Sequence, residues 1–475
     1  MGGFREKYRR TCRGLKENMP PEEFRKMGHQ FVDWMADYLK ESGTYPVVAR
    51  VKPGELVDAL PAGGPESGEA IEKIFDDFQR LILPGITHWN HPGFMAYFAT
   101  SASGPGILGE MLAAALNANG MLWKTSPAVT ELEQVTLSWL RQWIGLPEEF
   151  FGIIYDTASV SSMHAIAAAR ELAAPECRES GAANDLTLYC SEQAHSSIEK
   201  SAIAIGVGQR NVRKVSVDAE FRMRPDALER AIAFDIAAGK RPFCVVATAG
   251  TTSTTSIDPI PAIAAIAGGH NLWLHVDAAY GGAAAIVPEY RHVLDGAENA
   301  DSLVVNPHKW LFTPVDLSVL YTRRPDILRR AFSLTPEYLR TQDNPRVVNP
   351  MDYGVPLGRR FRALKLWFVL RYYGRDGIAS IIRMHIQSAQ ELARQIETDS
   401  RFELCAPAPL SVVCFRLRAS DDENRLLLER VNAEGSVFLS HTVLNGRFVI
   451  RLAVGNMGTT REHVQNAWSL VKSLA

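Results

Sequence analysis

The sequence predicts an α/β protein, with a mainly parallel sheet covered by helices and a small C-terminal α+β domain. Between about residues 150 and 325, short β-rich runs alternate with Ala-rich helical runs. This alternation is typical of parallel strands joined by helices. After an amphipathic helix at 358–374, the pattern changes to one that favours antiparallel strands with helices on one face.

The N-terminal region is predicted to contain a basic arm, one amphipathic helix and an extended segment. The arm covers the first 18 residues. The helix follows Pro20 and Pro21, which suit a first helical turn. Its apolar residues recur at helical spacing: Phe24, Met27, Phe31, Trp34, Met35 and Tyr38. The next stretch, YPVVARVKPGELVDALPAGGPESG, is rich in Pro and Gly and is expected to wrap over a neighbour.

The central region is predicted to hold six strands and four helices. The strands are LTLYCS, KVSVD, FCVVATAG, LWLHVD, SLVVN and LSVLYT. The helices are SVSSMHAIAAARELAA, HSSIEKSAIAIG, RPDALERAIAFDIAAG and PIPAIAAIAGGH. In the C-terminal domain we expect strands in SVVCFRLRAS and RFVIRLAVG, and helices in DENRLLLERVNAEG and TREHVQNAWSLVKSLA.

Composition narrows the functional classes. Hydrophobic residues make up 46% of the 475 and charged residues 22%, which is typical of soluble globular proteins. The net charge of -2 gives no argument for a nucleic-acid partner, and no apolar run is long enough to span a bilayer. The N-terminus lacks the apolar core of a secretory signal. Six scattered cysteines without metal-binding spacing favour reduced thiols, so we expect a cytoplasmic protein with no metal.

Two strand ends offer complementary chemistry. Asp277 ends the strand LWLHVD, and Lys309 follows the next strand, SLVVN. The carboxyl ends of parallel strands meet at one edge of a sheet, where active sites lie. A desolvated lysine can form a Schiff base, and a carboxylate can keep a pyridinium nitrogen protonated, which together are what pyridoxal 5'-phosphate requires. Taken alone, Asp277 fits a helix cap better, and Lys309 fits a solvent-facing strand end.

Other polar residues after strands could complete such a site. Thr157, Ala158 and Ser159 enter a helix whose N–H groups could bind a phosphate, although a plain N-cap explains them equally well. Asn306 and His308 could add donors, and His195 could stack on a cofactor ring or act as an acid or base. His88 and His91 raise a metal hypothesis, which we discount because no Glu, Asp or Cys completes a zinc set.

Seven motifs together resemble one family. They are NPHKWL, WLHVDAAYGG, EQAHSSIEK, HPGFMAYFAT, SPAVTELE, ATAGTTSTTSIDPI and PLGRRFRALKLWF. From about Met19 to the C-terminus, the chain resembles the group II pyridoxal-phosphate-dependent decarboxylases, in the branch that acts on aromatic L-amino acids. The resemblance implies the aspartate-aminotransferase-like fold type I, with a seven-stranded sheet and helices on both faces. It also implies a homodimer with shared active sites.

The resemblance implies three segments. Residues 1–103 would form an N-terminal arm and helical wrap on the dimer partner, 104–366 the large cofactor domain, and 367–475 the small domain. It also implies roles for single residues. Lys309 resembles the Schiff-base lysine, Asp277 the pyridinium partner and His195 the stacking histidine. The implied cofactor contacts are Ala158, Ser159, Thr252, Ala279, Asn306 and His308.

The implied reaction is decarboxylation of an aromatic amino acid to the corresponding amine. Tyr338, in the segment SLTPEYLRTQDNPRVVNPMDYGV, matches the tyrosine of the family's mobile catalytic loop, and Tyr338 and His195 are candidate proton donors to Cα. The implied substrate contacts are Tyr97, Phe98, Thr100, Asn119, Met121, Trp310 and Gly358. Asn119 could hydrogen-bond a phenol or an indole N–H. A glycine at position 358 favours indolic substrates.

Three alternatives remain. An aromatic acetaldehyde synthase shares the fold, but it usually has Phe at the loop tyrosine or Asn at the stacking histidine, whereas this chain has Tyr338 and His195. A glutamate decarboxylase would need cationic groups for the distal carboxylate, whereas Tyr97, Phe98 and Trp310 occupy the aligned positions. A scaffold without activity is disfavoured because every expected cofactor contact is present.

Overall fold

A computed structural model describes residues 18–181, 184–334 and 347–475. The chain forms two compact units, which divide between His88 and Trp89. None of the helices in these described ranges is long and apolar enough to cross a membrane.

The first unit is helical. Its α-helices are α1 (Pro21–Glu41), α2 (Glu55–Ala59) and α3 (Ile71–Asp77). The apolar face predicted for α1 packs against α3 through aromatic rings, with the centroids of Phe31 and Phe75 4.6 Å apart. Trp34 contacts the Phe78 ring edge-on at 5.2 Å. The helix predicted after Pro20 is therefore confirmed, and the extended stretch that follows it contains the short helix α2.

The second unit contains two sheets and the remaining helices. The strands of the large sheet are β1 (Phe151–Tyr155), β2 (Leu186–Ser191), β3 (Val212–Val215), β4 (Arg241–Thr248), β5 (Trp273–Asp277), β6 (Ser302–Val305) and β7 (Ser318–Thr322). Its α-helices are α4 (Gly104–Leu116), α5 (Pro127–Ile144), α6 (Ala158–Ala173), α7 (Cys177–Ser180), α8 (Ser197–Ala204), α9 (Pro225–Ala237), α10 (Ile260–Gly269), α11 (Pro307–Trp310) and α12 (Pro325–Phe332).

The large sheet has the order β1-β7-β6-β5-β4-β2-β3. The pairs from β6 to β3 are parallel, whereas β7 runs antiparallel to both β6 and β1. Strands such as β2 and β5 are buried at every residue, because helical connections cover a parallel sheet. The prediction of a mainly parallel seven-stranded sheet is confirmed. Strand β1, with the sequence FGIIY, was not among the predicted strands.

The C-terminal part carries a four-stranded antiparallel sheet in the order β10-β11-β9-β8. Its elements are α13 (Arg362–Thr398), β8 (Phe402–Leu404), β9 (Val412–Leu417), α14 (Asp421–Glu434), β10 (Ser440–Leu444), β11 (Arg447–Ala453) and α15 (Arg461–Leu474). The α+β prediction is confirmed. Within α13 the helix is interrupted at Gly374, whose φ of 63° and ψ of 173° are not helical, so the predicted end at 374 coincides with a kink between two helical segments.

The domain boundaries predicted at residues 103 and 366 remain predictions. The division found between the compact units lies at His88, and α13 runs from the end of the central region into the C-terminal part.

Candidate active site

The carboxyl ends of five strands of the large sheet surround a cavity of about 240 Å³. The turns after β1, β2, β4, β5 and β6 all contribute to its lining. The lining residues are Phe98, Thr157, Ala158, Ser159, His195, Ser197, Thr248, Gly250, Thr252, Asp277, Ala279, Tyr280, Asn306, His308 and Lys309. In parallel sheets this edge is where ligands bind, so the cavity is the candidate active site.

Lys309 lies in the single helical turn α11, directly after β6. Its Nζ is 5.2 Å from the centroid of the Phe98 ring. Burial lowers the pKa of Lys309 below its ordinary value and Arg451 lowers it further, whereas the carboxylate of Asp277 opposes both effects. A lysine with a lowered pKa has a larger share of neutral amine, which is the form that attacks a carbonyl.

Asp277 is the last residue of β5 and is 7% exposed. Its backbone pairs with Thr248 of β4 on one side and Val304 of β6 on the other, which centres it in the sheet. One carboxylate oxygen, Oδ1, accepts a hydrogen bond from the N–H of Ala279 at 3.1 Å. A carboxylate fixed in this way at a buried strand end suits a cationic partner, as a protonated ring nitrogen would be.

His195 follows β2 and lines the same cavity. Its Nδ1 lies 2.8 Å from the hydroxyl of Ser197 and accepts the Ser197 backbone N–H at 3.2 Å. Burial lowers the pKa of His195, which favours the neutral ring.

One end of the cavity is lined with hydrogen-bond donors. Helix α6 begins at Ala158, after Thr157, so its first backbone N–H groups and the positive end of its dipole face this end. His308 accepts the Leu317 N–H at Nδ1 over 3.0 Å, so its Nε2 carries the proton of the neutral ring. That Nε2 lies 3.3 Å from the side-chain amide of Asn306. A ring N–H and an amide beside a helix N-terminus favour an anion such as a phosphate.

Two buried polar atoms at the cavity have no hydrogen-bond partner among the described residues. They are Oδ1 of Asn306 and Oγ1 of Thr248. Buried polar atoms are normally paired, so these two indicate a ligand or water as partner. The backbone of Gly250, with a φ of 94°, makes the turn that closes this side of the cavity. The amine, the carboxylate and the donor-rich end together fit pyridoxal 5'-phosphate.

A second cavity of about 300 Å³ adjoins the first. The two share Phe98, His195, Thr252 and Lys309. The remaining lining residues of the second cavity are Tyr97, Ser253, Ser440, His441, Thr442 and Arg451. A molecule attached near Lys309 could therefore extend into an aromatic and polar space.

Arg451 is the main residue that the sequence analysis missed. It is 3% exposed, and its Nε donates to the carbonyl oxygens of Thr252 and Ser253 at 3.1 and 3.2 Å. Its Nη1 donates to the Tyr97 carbonyl, while Nη2 has no partner among the described residues. A buried guanidinium with a free N–H beside a cavity suits an anionic group. The arginine inside the apolar run RFVIRLAVG is the feature of the sequence that could have revealed it.

The predicted cofactor contacts all line the first cavity, whereas the predicted substrate contacts divide. Tyr97 and Phe98 line the cavities, but Thr100, Asn119, Met121, Trp310 and Gly358 line neither of them. Trp310 is fully buried, stacks on Tyr280 at 4.5 Å and donates from Nε1 to His385 at 3.0 Å. It therefore faces the core. Asn119 and Gly358 are exposed and adjacent to each other. Tyr338 lies outside the described residues.

The metal hypothesis gains no support. No group of three or more His, Cys, Asp or Glu side chains in the described part of the chain could hold a metal ion. His88 bonds to the Tyr38 hydroxyl at 3.0 Å through Nδ1, and His91 accepts the Gly93 N–H at 2.8 Å.

The fold and the site define a pyridoxal-phosphate-dependent enzyme. Residues 53–418 match the family described as "Pyridoxal-dependent decarboxylase conserved domain". The chain is 42% identical to tryptophan decarboxylase 2 of Oryza sativa subsp. japonica, covering 96% of this chain and 95% of the relative. It is 41% identical to phenylacetaldehyde synthase of Arabidopsis thaliana, covering 96% of each.

A solved structure gives the same result. The Oryza sativa TDC structure with PLP and tryptamine superposes with a TM-score of 0.94 at 36% identity, over 97% of this chain and 99% of that one. The chain belongs to the pyridoxal-dependent decarboxylase family, and pyridoxal 5'-phosphate is its cofactor.

Proposed function

We propose that this enzyme decarboxylates aromatic L-amino acids to the corresponding arylalkylamines and CO2. One observation carries the proposal. The cavity that contains Lys309 and Asp277 adjoins a second cavity where a buried cation, Arg451, lies beside the aromatic residues Tyr97 and Phe98. An aromatic amino acid combines the groups that these residues complement, namely an amine, a carboxylate and a ring. The relatives named tryptophan decarboxylase and tyrosine decarboxylase, 42% identical each, support the same substrate class.

The residues of the first cavity would hold the cofactor. Lys309 would attach it covalently through its amine, and Asp277 would keep the proton on its ring nitrogen. The donors of Asn306, His308 and the start of α6 would bind its phosphate. When bound, pyridoxal phosphate supplies the electron sink for the pair released as CO2 leaves.

The residues of the second cavity would hold the substrate. The free N–H of Arg451 would bind the carboxylate, because a guanidinium hydrogen-bonds this anion strongly when it is buried. Phe98 and Tyr97 would line the aromatic end. The unprotonated amine of Lys309 would be available once the substrate has replaced it on the cofactor, and it could move protons at the reacting carbon.

A homodimer is part of the proposal. Helix α4 packs one face closely on the rest of its unit, since a Cβ at Gly109 would lie 2.7 Å from the Lys365 Cα. Four apolar side chains of the same helix form an exposed stripe: Leu108 51%, Met111 40%, Leu112 49% and Leu116 64%. A contiguous apolar stripe of this kind is typical of an interface. A second copy of the chain is the proposed partner.

The same interface would bring further substrate contacts to the partner's site. Asn119 and Met121 follow α4, and a Cβ at Gly358 would lie 3.8 Å from Nδ2 of Asn119. These three residues lie next to the exposed stripe instead of at this chain's own cavities. We propose that each subunit supplies them to the other, which would explain their distance from Lys309. A cytoplasmic setting is supported by the free thiols of the five described cysteines.

Aldehyde synthesis is the second candidate. Two relatives named phenylacetaldehyde synthase, 41% and 39% identical, support aldehyde synthesis as a candidate. The presence of His195 favours the decarboxylase. A panel of aromatic amino acids, assayed together for amine, aldehyde and peroxide, separates the two. We expect amine as the main product from at least one substrate. Equal yields of aldehyde and peroxide with little amine would contradict the proposal.

A further inference from the structure

One ring nitrogen of His195, Nδ1, is contacted by two hydrogen-bond donors of Ser197. The Ser197 hydroxyl lies 2.8 Å from Nδ1, and the Ser197 backbone N–H donates to Nδ1 at 3.2 Å. A backbone N–H can only donate a hydrogen bond. Nδ1 must therefore present its lone pair, and the proton of the neutral imidazole is on Nε2.

Ser197 is well placed to enforce this arrangement. It is 3% exposed and opens helix α8. Its carbonyl accepts the Ser201 hydroxyl at 2.6 Å, and the neighbouring Ile198 N–H donates to the His195 carbonyl at 3.1 Å. The histidine and the serine thus belong to one hydrogen-bonded turn. An imidazolium would direct an Nδ1–H at the Ser197 backbone N–H, which this turn holds in place.

The electrostatic surroundings of His195 also favour the neutral ring. Burial lowers the pKa of His195, and the positive charges of Lys309 and Lys200 lower it further. The carboxylate of Asp277 opposes them, but the net shift is downward. The neutral form is therefore favoured at neutral pH.

We propose that Ser197 is a positioning residue that holds His195 as a neutral ring with its proton on Nε2, so that His195 donates a hydrogen bond into the cavity. The catalytic role assigned to His195 rests on the proposed decarboxylase function, whereas its tautomer does not. Loss of the Nε2 proton from a neutral ring would leave an imidazolate, so the neutral ring is a weak acid that donates a hydrogen bond and keeps its proton. His195 therefore orients groups in the cavity, and the proton that reaches Cα comes from another residue.

The test uses the holoenzyme with 13C- and 15N-labelled histidine, and a His195→Gln sample assigns the His195 resonances. We expect the Nε2–H tautomer in the wild type. In Ser197→Ala, the hydroxyl contact to Nδ1 is lost and the backbone N–H donor remains, so the His195 pKa should rise by about half a unit to one unit while the proton of the neutral ring stays on Nε2. The acidic limb of the kcat/KM profile should move to higher pH by the same amount.

Two further variants serve as controls. Ser197→Thr keeps the hydroxyl and should restore the wild-type pKa and profile. Ser196→Ala removes a neighbouring exposed serine and should change neither. A wild-type ring with its proton on Nδ1, or a Ser197→Ala ring with the wild-type pKa, would overturn the inference. A protein that forms no amine would contradict the proposed function instead, because the tautomer is measured without turnover.

Discussion

The guanidinium carbon of Arg451 lies 4.8 Å from the centroid of the Phe98 ring. The same ring is 5.2 Å from Nζ of Lys309 and stacks on Tyr280 with a centroid distance of 3.7 Å. One aromatic side chain thus contacts both cations of the candidate site. The positive charge of Arg451 destabilises the protonated form of Lys309, so Arg451 contributes to the lowered pKa of Lys309.

Arg451→Gln should weaken substrate binding. The variant loses the cation proposed to bind the carboxylate, and hydrogen bonds to charged groups contribute about 1.5–3 kcal/mol, so we expect kcat/KM to fall roughly 10- to 100-fold, mainly through KM. Steady-state kinetics measure this effect. Arg447→Gln, at an exposed position of the same strand, is the matched control and should keep the wild-type KM. A normal KM in Arg451→Gln would exclude the carboxylate role.

Lys309→Ala should abolish turnover and leave the fold intact. The substitution removes the amine that would attach the cofactor, without disturbing the strands on either side. Borohydride reduction followed by intact-protein mass spectrometry should show a covalent cofactor in the wild type and none in the variant. The far-UV circular dichroism spectra should coincide. Turnover at the wild-type rate in Lys309→Ala would refute the assignment.

Trp310→Phe should lower stability and leave the substrate KM unchanged. Phenylalanine keeps the stacking on Tyr280 but loses the Nε1–H donated to His385, which leaves a buried acceptor unpaired. That loss costs about 1–3 kcal/mol, measurable by denaturant unfolding. A several-fold change of KM with unchanged stability would instead favour the substrate contact predicted from the sequence.

The fold should lose stability as the pH falls from about 6.5 toward 4. Burial lowers the pKa of four histidines to about 4: His164, His275, His308 and His385. Between these values the unfolded chain binds more protons than the folded one, so acid favours unfolding. The Tm measured against pH should show this slope. His164→Leu should flatten it, whereas His29→Gln, at an exposed position, should not.

Leu112→Glu should shift the protein from dimer to monomer. The change places a charge in the middle of the exposed stripe of α4, where a second copy is proposed to pack. Sedimentation velocity measures the shift, and activity should fall with it if the partner supplies Asn119 and Met121. Glu131→Lys, at an exposed position of the neighbouring helix α5, controls for surface charge. A monomeric wild type with full activity would contradict the proposal.

The sequence predicted the centre of the site because its residues follow strands. Asp277 ends its strand, and His195 and Lys309 each lie four residues after the last residue of theirs, so the edge rule for parallel sheets brings the three together. Trp310 shows the limit of this reasoning. Neighbouring residues in a helical turn point about 100° apart, so the turn that directs Lys309 to the cavity directs Trp310 to the core.

Arg451 stands out in the sequence as an arginine within an apolar run, but its place at the cavity, like that of Ser197, could not be predicted from the sequence. Arg451 enters from the C-terminal sheet, and nothing in its own strand fixes how that sheet approaches the cavity. Ser197 depends on the conformation of one turn. Strand β1 was not predicted: FGIIY is a five-residue apolar run that contains a glycine, and its pairing with β7, far along the chain, makes it a strand.

The stacked rings give this enzyme an optical reporter. Phe98 and Tyr280 both line the cavity and stack on each other, and Trp310 stacks on Tyr280, so a buried indole lies one ring from the candidate site. Its emission should respond to a chromophore bound beside Lys309 through energy transfer. Cofactor binding could thus be followed by intrinsic fluorescence, without any label.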